Sequence, residues 1–173
     1  MTEVAPARPA GPETPVRLAP PRVLQGFWVA QTPAELRVVV RFCREAVAAD
    51  ATELRSVALS SPDPLVAGNA LRALGRLGAV AHDPELIALL EDSRPRVRQE
   101  VVIALGASGY PPVVEDLAPL LEEDDAVLRP LVLHALGRLG GARARALLES
   151  VLRDRETKEV DRAFARQALA RRT

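Results

Sequence analysis

The tripeptide Ala-Leu-Gly occurs at positions 73 to 75, 104 to 106 and 135 to 137, and the step between copies is the same each time. No other feature constrains the chain as strongly. A fixed period of about 31 residues means that each unit is one supersecondary element that cannot bury its apolar face alone and must stack on its neighbours. The register extends well beyond the tripeptide. Val66, Val97 and Leu128 share a column, as do Ala70, Val101 and Val132, and then Leu71, Val102 and Leu133. A second apolar set follows at Leu86, Leu117 and Leu148, with Leu89, Leu120 and Val151 and then Leu90, Leu121 and Leu152 in step. A degenerate fourth copy ends the chain, where Ala168-Leu169 lies slightly more than one step after Ala135-Leu136, the extra residues falling in the polar stretch 154 to 161.

Apolar spacing within a row is helical. Val97, Val101, Ala104, Leu105 and Ser108 follow one face of a helix, and strict alternation is absent. Asp63-Pro64 and Asp83-Pro84 each place a side-chain acceptor at the N-cap and proline at the first helical position. Ser93 or Arg94 before Pro95 repeats the proline part of that signal. Gly78, Gly109 and Gly140 stand where a helix end needs positive φ. Each unit therefore reads as helix, turn, helix. Pro119, inside the run 113 to 122, is expected to kink its helix. Pro130 is tolerable if its helix starts near Val127, because first-turn amides have no intrahelical partner.

An acid, five residues and an arginine precede the Ala-Leu-Gly helix: Asp92 and Arg98, Glu123 and Arg129, Glu156 and Arg162. The first copy departs, with Ser61 and Ala67 in those places. On these residues the chain resembles the HEAT-type α-solenoids, in particular the short bacterial repeats first associated with phycobilisome lyases. The resemblance covers roughly residues 51 to 173. It implies an all-α, right-handed α-solenoid of about four HEAT-like helical hairpins, and a ladder of the acids and arginines between repeats. Its layout places helices at 52 to 60 with 64 to 77, 84 to 91 with 95 to 108, 112 to 122 with 127 to 139, and 142 to 153 with 158 to 171. Ahead of them, Thr32-Pro33-Ala34-Glu35 forms a capping box that opens an amphipathic helix to about Ala49. Residues 27 to 50 are read as an N-terminal capping helix, and 51 to 173 as the repeat domain.

Residues 1 to 26 form a separate segment with six prolines in the first 21 positions, read as a disordered Pro-rich tail. It has neither the apolar core of a secretory signal nor, anywhere in the chain, the 18 apolar residues of a membrane span. A cytoplasmic protein is the simplest inference. Phe27 and Trp28 are expected to pack against the first helix, with a docking motif as the other reading. Cys43 is the single cysteine and sits on the apolar face of the capping helix, as a small hydrophobe. His82 and His134 belong to no metal-ligand set. In iron-binding HEAT-type enzymes His-Glu pairs hold the metal, and here Asp83 and Ala135 follow the two histidines. No cofactor, metal or catalytic constellation is expected, and the glycines recur periodically at helix ends rather than in a phosphate loop.

In HEAT-type stacks the second helix of each unit lines the concave surface. With the periodic columns buried, the positions left to face a partner are Asn69, Arg72 and Arg76 in the first unit and Gln99, Glu100 and Ile103 in the second. The third unit supplies Leu131, His134 and Arg138, and the fourth Phe164, Gln167 and Arg171. Apolar residues interleaved with arginine suit a peptide or helix of a protein partner. Leu131 and Phe164 could equally be buried between repeats. The leading expectation is a non-catalytic protein-interaction scaffold or adaptor. Nucleic-acid binding through Arg72, Arg76, Arg138 and the basic last helix is the alternative, although residues 80 to 125 carry eleven acids against three arginines and no basic stripe runs the length of the chain. A bilin-lyase-like accessory role follows from the resemblance alone.

Overall fold

The computed structural model describes residues 33 to 170. The Pro-rich segment, Phe27, Trp28, Thr32 and Arg171 lie outside the described residues. Helices run in the order α1 (Pro33–Glu45), α2 (Ala51–Ser60), α3 (Pro64–Arg76), α4 (Pro84–Ala88), α5 (Pro95–Ala107), α6 (Val114–Leu117), α7 (Leu128–Leu139), α8 (Gly141–Arg153) and α9 (Glu159–Ala170). Among the described residues there is no strand. Four hairpins, α2/α3, α4/α5, α6/α7 and α8/α9, follow one another. The second helices form one row, with α3 on α5, α5 on α7 and α7 on α9, and α1 joins that row by packing on α3. The first helices cover one side of it. The chain is an all-α solenoid.

Helix starts are set by the expected chemistry. Asp63 Oδ1 accepts from Leu65 N at 2.8 Å, and Asp83 Oδ1 accepts from Glu85 N at 3.1 Å, each beside a proline at the first helical position. Arg94 has no side-chain acceptor to offer, and the loop before α5 is organised instead by Asp92, whose Oδ1 accepts from Arg94 N at 2.8 Å. Asp125 does the same service for α7, accepting from Val127 N and Leu128 N at 2.8 Å each. Pro130 then falls in the first turn, where it removes no intrahelical bond. Gly78, Gly109 and Gly140 have φ of 71°, 69° and 63°. Behind Gly78 the chain closes with Ala79 N–H on Leu74 O at 2.9 Å, the six-to-one bond of a glycine-terminated helix.

Pro119 does more than kink its helix. The run from Pro111 to Leu121 is broken into a 3₁₀ turn (Pro111–Val113), the single α-turn of α6 and another 3₁₀ turn (Ala118–Leu121). Two prolines open the run and a third interrupts it, so too few amides remain to sustain the i to i−4 ladder.

The periodic columns are the core: Val66, Val97 and Leu128, Leu71, Val102 and Leu133, and Leu86, Leu117 and Leu148 are all buried. The tripeptide has a specific task inside it. A Cβ on Gly75 would lie 2.6 Å from Ala104 Cα, one on Gly106 2.7 Å from Ala135 Cβ, and one on Gly137 2.7 Å from Ala168 Cβ. The glycine of each repeat thus faces the alanine of the next repeat's Ala-Leu pair. Successive second helices touch backbone to backbone at that point, and the repeat step is the spacing of these joints.

Candidate functional site

On each second helix, positions i, i+4, i+7 and i+11 share a face. In the repeat register these are Leu65, Asn69, Arg72 and Arg76 on α3, then Arg96, Glu100, Ile103 and Ala107 on α5. Val127, Leu131, His134 and Arg138 continue the face on α7, and Val160, Phe164 and Gln167 on α9. This face is the candidate site. Arg72, Arg76, His134, Arg138, Phe164 and Gln167 are exposed on it, while Asn69, Gln99, Ile103 and Leu131 are half-buried. Leu131 therefore divides itself between face and core. Asn69 turns its amide back to Leu65 O at 2.7 Å.

Glu100 corrects the expectation of an open groove residue, for its side chain is only 1% exposed. Gly68 makes the room, since a Cβ there would meet Glu100 Cγ at 2.7 Å. The carboxylate is held by Arg72 through both its oxygens and by Arg96 Nη2 at 2.8 Å. Two half-exposed guanidinium groups thus cover one buried carboxylate, and the cluster carries a net positive charge toward solvent. Burial of an acid is tolerated only with partners of this kind.

Arg76 and Arg138 are exposed but tethered. Arg76 Nη2 donates to Cys43 O at 2.8 Å and Arg44 O at 3.1 Å, at the end of α1. Arg138 Nε donates to Gly106 O at 3.1 Å, in the last turn of α5. Each arginine caps the carbonyl end of the preceding helix in the row, where a cation also complements the helix dipole. A guanidinium has five N–H donors, so these bonds occupy only part of each one.

The motif acids and arginines form part of a ladder. Arg98 pairs with Glu123 of the next repeat, and Arg129 Nε stands 3.3 Å from Asp161 Oδ2 of the one after. Asp92 does not join it, being held by Arg94 inside its own loop. Arg98 and Arg162 also donate to carbonyls earlier in their own repeats, Leu90 O and Asp154 O, at 2.7 Å each.

Sequence reasoning missed one column of the face. Leu65, Val127 and Val160 are 43%, 58% and 55% exposed, and the fourth member is Arg96. The signal was present: positions 65, 96 and 127 are one repeat apart, and 160 follows after the longer step of the last copy. Their place in the first helical turn made them look like boundary residues. Elsewhere, a cavity of about 280 Å³ between α7, α8 and α9 is lined by Leu136, Gly137, Leu148 and Ala168, with Arg145 at its edge. Arg145 is occupied by Glu149, so no polar groups converge there.

No group of three His, Cys, Asp or Glu side chains among the described residues is placed to hold a metal ion. Burial pushes the Cys43 thiol up to about 12, which keeps it protonated and unreactive. His82 lies against Tyr110 with ring centroids 4.2 Å apart, a contact between successive inter-repeat loops. No helix among the described residues is long and apolar enough to cross a membrane.

These observations define a class: a helical repeat stack built on one continuous row of second helices. Comparison with protein families places it further. The HEAT repeat family matches residues 51–131 and 84–170, and the chain belongs to that family. Among curated proteins none matches this chain. HEAT repeats are commonly protein-interaction scaffolds.

Proposed function

We propose that this protein is a non-catalytic scaffold that holds a peptide or helix of another protein on the face formed by α3, α5, α7 and α9, the concave side in the solenoids it resembles. One observation carries the reading. Val127, Val160 and Phe164 are large apolar side chains left 58%, 55% and 36% exposed on two adjacent helices, within a fold whose other apolar columns are mostly buried. Large apolar side chains left exposed on adjacent helices are a feature of interaction surfaces. Duplex DNA is a poorer fit, because Arg72 and Arg96 share a carboxylate and Arg166 of the last helix is paired with Glu159.

Affinity capture from the native cell tests the proposal. The double variant Val127→Glu, Val160→Glu changes two exposed side chains and should keep its helicity by circular dichroism. It should lose the proteins that the wild-type chain retains. Capture of the same proteins by both forms would move the binding surface elsewhere.

A further inference from the structure

The charges on the candidate face are segregated in a way that describes its occupant. On α3, α5 and α7 the only acid is Glu100, buried beneath two arginines, and α9 adds Glu159 and Asp161 in its first turn, paired with Arg166 and Arg129. The exposed cations Arg72, Arg76 and Arg96 lie on the first two repeats. Arg138 adds a cation at the C-terminal end of α7, away from the valine at its start. Of the face's exposed apolar residues, Val127, Val160 and Phe164 lie on the last two repeats, joined by half-buried Leu131, and Leu65 alone lies on the first. Other acids gather off these helices, in the loop from 122 to 125 and at Glu115 and Asp116 of α6. With Leu65 and Arg138 as the exceptions, the face therefore has a cationic half and an apolar half.

The spacing sets a length. Packed helices lie about 8 to 10 Å apart, and the glycine joints hold these at the close end of that range. Two repeat steps separate the centres of the two halves, and a helix rising about 1.5 Å per residue covers that distance in roughly 12 residues. An extended strand needs partners for its backbone along the way. The face offers no row of them along its length: Asn69 is turned to its own helix, Gln99 is half-buried, and His134 and Gln167 stand only on the last two repeats. A helix satisfies its own backbone.

From this geometry we infer that the face takes an amphipathic helix of another protein, with an apolar cluster that seats on α7 and α9 and carboxylates about three turns away that meet Arg72, Arg76 and Arg96. The inference rests on the scaffold reading above and adds the chemistry of the partner. The chain's own segment ahead of α1 does not fit the cationic half, for it carries Arg8, Arg17 and Arg22 against Glu3 and Glu13.

The test uses the full chain and a display library of helical peptides of about 20 residues, long enough to span both halves, with randomised surface positions. Binders are selected on the wild type and counter-selected on Val127→Glu, Val160→Glu. Recovered peptides should be enriched in Asp and Glu at one end and in Leu, Ile or Phe at the other. Resynthesised and followed by fluorescence anisotropy, they should bind the Arg96→Gln variant several-fold more weakly and lose affinity as salt rises. Arg96→Gln leaves the two-oxygen Arg72–Glu100 pair intact, so the fold is not at stake. Binders that depend on Val127 and Val160 but show no acidic end overturn the inference and leave the scaffold reading standing. If no recovered binder depends on those valines, both fall. Tighter retention of a duplex DNA than of any recovered peptide, or dimerisation of the chain lost in the valine variant, also overturns the inference.

Discussion

At the residue scale, the glycine of the repeated tripeptide decides the sign of a substitution that propensity alone would misjudge. Gly106→Ala inside an exposed helix would stabilise by up to about 1 kcal/mol. Here the added methyl would sit 2.7 Å from Ala135 Cβ and 2.8 Å from Ala135 Cα, and forcing the helices apart costs roughly 1 to 3 kcal/mol. The expected net effect is a lower thermal midpoint, recovered only in part by adding Ala135→Gly because a backbone atom is also in the way. An unchanged or higher midpoint would refute the joint. Glu100 supports a second expectation. Arg72→Ala leaves a buried carboxylate with Arg96 alone and should cost roughly 1 to 3 kcal/mol in urea unfolding. Arg96→Ala, which leaves both Arg72 bonds, should cost under about 1 kcal/mol. Equal losses would mean that the carboxylate is not the shared element. Neither point was legible in the sequence. The alanine and glycine columns were visible, but that one repeat's glycine meets the next repeat's alanine requires knowing how helices cross. Glu100 occupies a column shared with Asn69, Leu131 and Phe164, so nothing in its spacing announced a buried acid.

At the scale of the element, helix identity and most ends were readable, because proline, aspartate and glycine act through local chemistry that needs no partner from afar. Asp63-Pro64, Asp83-Pro84 and Gly78 all behave as that chemistry dictates. The start of α7 was read near Val127 and falls at Leu128; what escaped was the acceptor that holds it, since Asp125 stands in a run of four acids that offers several candidates. Asp125→Ala removes the acceptor of two amides and should lower stability by about 1 kcal/mol, with urea unfolding as the check; no change would mean that water replaces the cap. The loop acids also set the pH dependence. The Arg55 guanidinium hydrogen-bonded to Asp83 holds that carboxyl below its ordinary 3.8, and Arg94 does the same for Asp92. Backbone amides of Leu128 and Val127 lower Asp125. With the folded values depressed, the unfolded chain takes up protons first as pH falls. Their stabilisation is therefore complete above about pH 5 and lost as pH drops through 3.8 toward the folded values. Urea midpoints measured from pH 7 downward should stay level and then fall in that acid window. The Asp83→Asn, Asp92→Asn variant should start lower and fall less; a parallel fall would assign the acid loss to other groups.

At the scale of the whole molecule, each repeat touches only its neighbours, so cohesion is a chain of joints rather than a single core. The glycine joints and the caps supplied by Arg76 and Arg138 link consecutive helices of one row, and the Arg98–Glu123 pair ties α5 to the loop that leads into α7. Such a stack needs about three repeats for stability. A cut between α5 and α7 leaves two hairpins on either side, with α1 in addition on the N-terminal side. Gly106→Val makes that cut without removing a residue, since a branched side chain would be driven into Ala135. The two sides should then part company. Native-state hydrogen exchange on the wild type should show the buried amides of α3, α5, α7 and α9 opening with similar free energies, as one cooperative unit. In Gly106→Val, the amides of α7 and α9 should open together at lower free energy than those of α3 and α5, which keep α1 as a neighbour. Urea unfolding should then broaden into two steps. If the variant instead loses stability evenly along the row and still unfolds in one step, the joint at Gly106 is not a boundary between cooperative units, and the two halves of the candidate face move as one.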